Sequence, residues 1–485
     1  MTHIASRAIS AAAASRDELA LAIERTASAR AIVGNTLQQH PDSPASLEAM
    51  LALITGAQGW VHFENYIIRD DRTGRRMAEA LAERSRAGVT VRVLYDALGS
   101  LGTGYRFWRT LRRAGVEVRA FHPILTGHPF DLFVRDHRKL VVADGARAML
   151  GGLCIGDEWA GDPASGRAPW RDTMVTVCGP AASALDATFA NVWNQTGAPL
   201  AEAERNADPE PCGTVAVQVV AGVPFEGRMY RATQLIAAAA RERLWITDAY
   251  LVPPAPLYAA LLEAARSGVD VRLLVPGASD LPVLRNFTRV GYRELLRSGV
   301  RVFEWLGPMI HAKTLVADRH WARVGSSNLN VSSLLGNFEL DVLTDDPASA
   351  DELAAQFRRD LQRSREVVLR PRHRMLPARL VGTSHEDLHE PAGADAPPAG
   401  SGRPRIRSGY QIGAVAVVAL RRVAGGLRRA IAGTAALLLL LVGALLLVFP
   451  RLMGVVLAAL AFWLSLGFGV YAFGRRRARG RDDGD

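Results

Sequence analysis

Two segments of the chain repeat one arrangement of chemically useful side chains. They are HRKLVVAD, carrying His137, Lys139 and Asp144, and HAKTLVAD, carrying His311, Lys313 and Asp318. In an extended strand, residues two apart share a face, so each His stands beside its Lys. An imidazole can attack phosphorus or move a proton, and an ammonium can hold an anionic oxygen, so the pair suits phosphate chemistry. Two copies describe a site built from two halves. Lys139 and Lys313 are also the only lysines among 58 basic residues. Arginine serves wherever any positive charge will do, and a compact point charge is kept at these two positions.

The residues that follow each motif extend the pattern. Gly325, Ser326 and Asn328 are followed by Asn337, Phe338 and Glu339, while the first motif is followed by Gly151-Gly152-Leu153-Cys154 and by Trp170-Arg171-Asp172. With these features the chain resembles the phospholipase D superfamily, and within it the bacterial cardiolipin synthases, over roughly residues 45–370. It departs from the family in the first half, where Gly152 and Cys154 stand at the positions of a Ser and an Asn.

The resemblance implies a catalytic set of His137, Lys139, Asp144, His311, Lys313 and Asp318, with Gly152, Ser326, Asn328, Asp172, Asn337 and Glu339 binding phosphate or supporting the set. It implies neither metal nor cofactor. By analogy His137 is the nucleophile that forms a phosphohistidine, and His311 is the acid and base. Each imidazole needs a carboxylate on its other nitrogen. Glu339 is the expected partner within the second half, for His311, and Asp172 within the first, for His137, with Asp157 and Glu158 as alternatives. Asp144 and Asp318 are expected to brace strand ends, and Cys154 to be a small buried residue. His62, His122, His128 and His320 lack ligand spacing and read as surface or core histidines. Trp60, Phe63 and Tyr66 have strand spacing and read as core.

The implied reaction transfers a phosphatidyl group from one phosphatidylglycerol to another and releases glycerol. Alternatives are a phospholipase D that forms phosphatidic acid, a nuclease of the same superfamily, and an inactive membrane scaffold. Charge location bears on the nuclease. Thirteen arginines against three aspartates after residue 400 account for the whole net charge of +10. A nucleic-acid partner would call for that charge around the site. The expected partners are therefore phospholipids and the bilayer.

The elements that position the motifs also repeat. The segment from Trp60 to Asp96 parallels that from Leu244 to Pro276, each reading as strand, helix, Gly-Val turn and strand. The expected fold class is α/β: two similar phospholipase D-like lobes at 46–200 and 213–372, each a mostly parallel sheet flanked by helices. A helical segment at 1–45 precedes them, and a polar stretch at 201–213 links them. Three cysteines, an odd number, imply no disulfide framework and a reducing compartment.

Residues 384–408 are rich in Pro, Gly and charge and read as a flexible linker, and 410–429 as a possible basic interfacial helix. Ala430 to Phe449 and Leu452 to Phe473 carry no charge and are each long enough to span the ~30 Å hydrocarbon core. Arginines on both outer flanks place the ends of this transmembrane helical hairpin in the cytoplasm of a bacterial-type inner membrane. The lobes would then face the cytoplasmic leaflet.

Overall fold

The computed structural model describes residues 17–123, 134–205 and 207–369. After a helix α1 over 17–27, the first lobe contributes β1 (Ala31–His40), β2 (Trp60–Asn65), β3 (Thr90–Asp96), β4 (Glu117–Phe121), β5 (Lys139–Ala143), β6 (Arg147–Gly151) and β7 (Met174–Cys178). The second contributes β8 (Val215–Gly222), β9 (Arg243–Thr247), β10 (Asp270–Pro276), β11 (Arg301–Trp305), β12 (Thr314–Ala317), β13 (Trp321–Gly325), β14 (Glu339–Asp345) and a short β15 (Ser364–Glu366). All fifteen join one sheet. Outward from the centre the order β1-β7-β6-β5-β2-β3-β4 is answered by β8-β14-β13-β12-β9-β10-β11. The halves are therefore related by an approximate two-fold between the antiparallel strands β1 and β8.

The sheet is mixed, which corrects the expectation of mostly parallel lobes. Within the seven-strand halves, parallel pairing is confined to β2–β3, β3–β4, β9–β10 and β10–β11. In the first lobe helix α2 (Ser43–Gly56) leads into β2, while α3 (Arg72–Arg86) joins β2 to β3 and α4 (Tyr105–Arg113) joins β3 to β4; these two, with their counterparts in the second lobe, supply the crossovers that parallel strands need. The motif strands enter differently. β5 turns into β6 through Asp144 and Gly145, both at positive φ (56° and 64°), a geometry that forces an antiparallel hairpin.

Residues 31–40 also correct the expected N-terminal helical segment, because they form β1, the first-lobe strand that lies at the middle of the whole sheet, against β8. Its pairing switches from β8 to β7 around a bulge between Ile32 and Asn35, next to Gly34 at φ 91°. The bulge hides the alternation that would mark a strand.

Three apolar clusters hold the layers. One lies against α2, α3 and α4 in the first lobe, and another against the helices Arg228–Ala239, Ala255–Arg266 and Pro282–Arg297 in the second. The third joins the lobes, packing Leu185, Phe189 and Trp193 from the helix Pro180–Trp193 with Leu353 and Phe357 from the helix Pro347–Leu361. Truncating one of its large aromatics would cost about 3–5 kcal/mol. The linking stretch is packed as well: Glu204 pairs with Arg92 and contacts His62, and Cys212 N donates to Gly34 O at 2.9 Å.

No helix among the described residues is long and apolar enough to cross a membrane. The linker 384–408, the basic segment 410–429 and the hairpin 430–473 lie outside the described residues, as do 1–16 and His128.

Candidate active site

His137 and His311 stand just ahead of β5 and β12, and backbone hydrogen bonds between the lobes hold each one. His137 N donates to Phe338 O at 2.9 Å, and His311 N donates to Arg171 O at 2.7 Å. Phe338 and Arg171 each precede a carboxylate, so these bonds deliver that carboxylate to the opposite lobe's imidazole. His137 Nδ1 lies 3.0 Å from both oxygens of Glu339, and His311 Nδ1 lies 2.8 Å from Asp172 Oδ2. The pairing is crossed. The expected partners within each lobe are thus corrected: Glu339 serves the first-lobe histidine and Asp172 the second-lobe one. Asp157 and Glu158 serve neither; Asp157 accepts from Thr73, and Glu158 faces Arg69 at 3.4 Å.

With Nδ1–H donated to a carboxylate, each imidazole keeps its Nε2 lone pair for chemistry. Burial lowers the pKa of His137, and Glu339 only partly offsets it. Burial, reinforced by Lys313, pushes His311 down to about 4. Both rings are therefore neutral at neutral pH. Burial alone would raise Glu339 and Asp172, but their histidines and the nearby lysines pull both below the ordinary carboxylate range.

Lys139 and Lys313 are buried, and each Nζ donates to the backbone carbonyl of its own histidine. That bond places the ammonium beside the imidazole, as the two-residue spacing predicts. Burial lowers the Lys313 pKa to about 8.

The two halves support their carboxylates differently. Glu339 accepts from Ser326 Oγ at 2.5 Å and from the Ser333 hydroxyl. Asp172 accepts from Trp159 Nε1 at 3.2 Å and from Thr173 N at 2.8 Å. A Cβ at Gly152 would lie 2.2 Å from Asp172 Oδ1, so the shorter carboxylate occupies the space that Ser326 fills in the other lobe. The departure at Gly152 thus has a steric cause. Cys154 packs in the first-lobe core with its thiol pushed up by burial, as expected for a small buried residue. Asn328 N donates to Ser333 Oγ at 2.8 Å, while its Oδ1 and that of Asn337 are buried without a hydrogen-bond partner among the described residues. Asn337 takes no part in holding either histidine.

Asp144 and Asp318 lie at the far ends of the motif strands and touch neither histidine. Asp144 accepts from the backbone N–H groups of Gln58, Gly59 and Trp60 at 2.7–2.9 Å, and Asp318 from those of Arg241, Glu242 and Arg243 at 2.8–3.2 Å. Each clamps the start of a neighbouring strand.

Aromatic rings enclose the site. Tyr66 lies 4.8 Å from His137, and Trp159, Trp170 and Tyr250 lie 5.5, 6.0 and 5.8 Å from His311 between ring centroids. Tyr66 packs against the first-lobe core, as its strand spacing suggested, and also reaches the site; Phe63 lies in the core and Trp60 is half-buried. Trp159, Ser333 and Tyr250 carry no motif that would mark them. Among the described residues no cluster of His, Cys, Asp and Glu could hold a metal ion. The site offers a neutral nucleophile, a second imidazole for proton transfer, and two ammonium groups for a crowded phosphorus centre.

Comparison with known proteins places the chain by family and fold. The family described as cardiolipin synthase, PLD-like domain, matches residues 50–158 and 233–361. Cardiolipin synthase A of Pseudomonas fluorescens is 36% identical over 327 residues, covering 67% of this chain and 68% of its own length. Cardiolipin synthase A of Pseudomonas aeruginosa is 35% identical over 341 residues, 69% of each chain. Cardiolipin synthase 2 of Bacillus anthracis is 34% identical over 354 residues, covering 71% of this chain and 68% of its own. The solved phosphatidylserine synthase of Haemophilus influenzae shares the fold, with a TM-score of 0.57 at 15% identity, covering 72% of this chain and 92% of that one.

Proposed function

The chain belongs to the cardiolipin synthases, phosphatidyltransferases of the phospholipase D-like family, and from that premise we propose that it joins two phosphatidylglycerol molecules into cardiolipin and glycerol. The crossed pairing of two His-x-Lys motifs in one buried site carries this reading. His137 Nε2 attacks the phosphorus of the first lipid and the P–O bond to glycerol breaks. His311, neutral at rest, takes up a proton at Nε2 when the anionic phosphodiester sits beside it, gives that proton to the leaving oxygen and is left neutral. The phosphatidyl group then rests on His137. A head-group hydroxyl of the second lipid gives its proton to His311 and attacks phosphorus, and the P–N bond breaks. Lys139 and Lys313 hold the non-bridging oxygens throughout.

One observation favours the reverse order of the histidines. The stronger depression at His311, to about 4, suits a resting nucleophile better than a resting acid. Trapping the adduct decides between the two orders.

The purified chain, incubated with acyl-labelled phosphatidylglycerol, is expected to yield cardiolipin and glycerol in equal amounts. Phosphatidic acid as the main product would make it a hydrolase. The uncharged stretches 430–449 and 452–473, with arginines at both outer flanks, support anchoring in an inner membrane with the lobes on the cytoplasmic side.

Lys139→Arg and Lys313→Arg are each expected to lower kcat/KM by about 100-fold or more, although charge is conserved. The buried ammonium fits beside its own histidine, and a wider planar head displaces the phosphate. Near-normal turnover in both variants would remove the argument from the two lysines.

The pH profile follows from Lys313. A lysine of lowered pKa loses its charge as pH rises through about 8, so kcat/KM should fall above that value. An alkaline limb near the ordinary lysine value would contradict this assignment.

A further inference from the structure

Among the described residues, six of the thirteen large apolar side chains left in solvent lie on two segments that the approximate two-fold exchanges. Leu98, Leu101 and Tyr105 follow β3 in the first lobe, and Leu281, Phe287 and Val290 follow β10 in the second. Leu101 and Tyr105 are 66% and 70% exposed, and Phe287 and Val290 are 55% and 78% exposed. β3 and β10 occupy equivalent places in the sheet order.

Both segments are fastened to the rings that cover the histidines. Ser100 Oγ donates to Tyr66 O at 3.2 Å and accepts from Ile68 N at 3.0 Å, and Tyr66 lies against His137. Tyr250 donates to Asp280 at 2.8 Å, Thr288 donates to Leu251 O at 2.9 Å, and Tyr250 lies against His311. Because the two-fold that exchanges the histidines also exchanges these segments, they stand on opposite sides of the site.

Charge accompanies the apolar groups. The helix Tyr105–Arg113 carries four arginines and no acidic residue, and Pro282–Arg297 carries four arginines and one glutamate. Exposed apolar side chains beside basic helices fit an anionic lipid surface. The phosphodiester of a phospholipid, the substrate proposed above, lies at the boundary of such a surface.

We propose that the two segments form one bilayer-docking face, which seats in the head-group region of an anionic membrane and holds the mouth of the site at the depth of the phosphodiester. This rests on the phospholipid substrate proposed above. The anchor stretches after residue 429 would tether the chain, and this face would orient the catalytic lobes.

The test uses the full chain reconstituted in phosphatidylglycerol vesicles. The combined variant Leu101→Glu, Phe287→Glu, Val290→Glu is expected to lose about 10-fold or more of its cardiolipin synthesis from bilayer lipid. Its rate on short-chain phosphatidylglycerol dispersed as monomers should stay within about two-fold of the parent. Unchanged rates on both substrates, or equal loss on both, would overturn the proposal. A second measurement covers a variant that fails to fold: a fluorophore on Phe287→Cys, in a background with Cys178→Ser and Cys212→Ser, should be quenched by spin-labelled lipid. Absence of quenching, or a signal that follows protein concentration without lipid and so reports a second copy, would also overturn it. A parent chain that forms no cardiolipin from either substrate would defeat the proposed reaction, while quenching would still report docking.

Discussion

Alanine at His137 or at His311 is expected to lower cardiolipin formation by about 10,000-fold or more with the melting temperature little changed. One imidazole makes the covalent bond and the other moves the proton, so neither can cover for the other. The double variant should be scarcely worse than either single one, because the second loss removes a group from a site that has already stopped working. Steady-state assays of the three variants on labelled phosphatidylglycerol check this. A single variant that keeps the parental rate would mean that the site does not need both motifs.

Glu339→Gln and Asp172→Asn are expected to follow in size, at roughly 1,000-fold to 10,000-fold. Each amide keeps the shape of the side chain but loses the charge that favours Nδ1–H. The imidazole can then present its proton from Nε2, where the lone pair is needed. The crossed geometry makes this prediction specific. Glu339→Gln, a change in the second lobe, should abolish what His137 does in the first, and Asp172→Asn should abolish what His311 does. Adding Glu339→Gln to His137→Ala should therefore cost almost nothing further.

Much of this site was legible in the sequence because its parts are strictly local. A His and a Lys two residues apart on a strand share a face, and the buried ammonium beside each imidazole is the direct result. The lobes were legible for a similar reason, since strand, helix and turn repeat at matching intervals. The carboxylate pairing was not, because it is decided by the relation between lobes. Glu339 is nearer His311 in the chain, and only the bridges from Phe338 and Arg171 to the opposite motif carry each acid across.

The mixed sheet has a local signal in the sequence. Asp144-Gly145 is the dipeptide of a tight hairpin, and it predicts that the motif strand returns antiparallel. β1 had less to offer, because its bulge at Gly34 breaks the alternation. Trp159 and Ser333 could not have been singled out. Their value lies in reaching a carboxylate that the chain delivers from elsewhere, as when the Trp159 indole meets Asp172. Gly152 shows the converse, where a departure from the family pattern is explained by the side chain that fills the space.

The most direct test of the account is to trap the covalent intermediate. Rapid acid-free quenching of the chain with phosphatidylglycerol labelled in its phosphate, followed by digestion and peptide mapping, should place the label on His137. The label should be absent from His137→Ala and Glu339→Gln, and Lys139 and Lys313 should carry none. If lipid turned over at the parental rate while neither His137 nor His311 ever carried label, the two-half covalent mechanism would be contradicted.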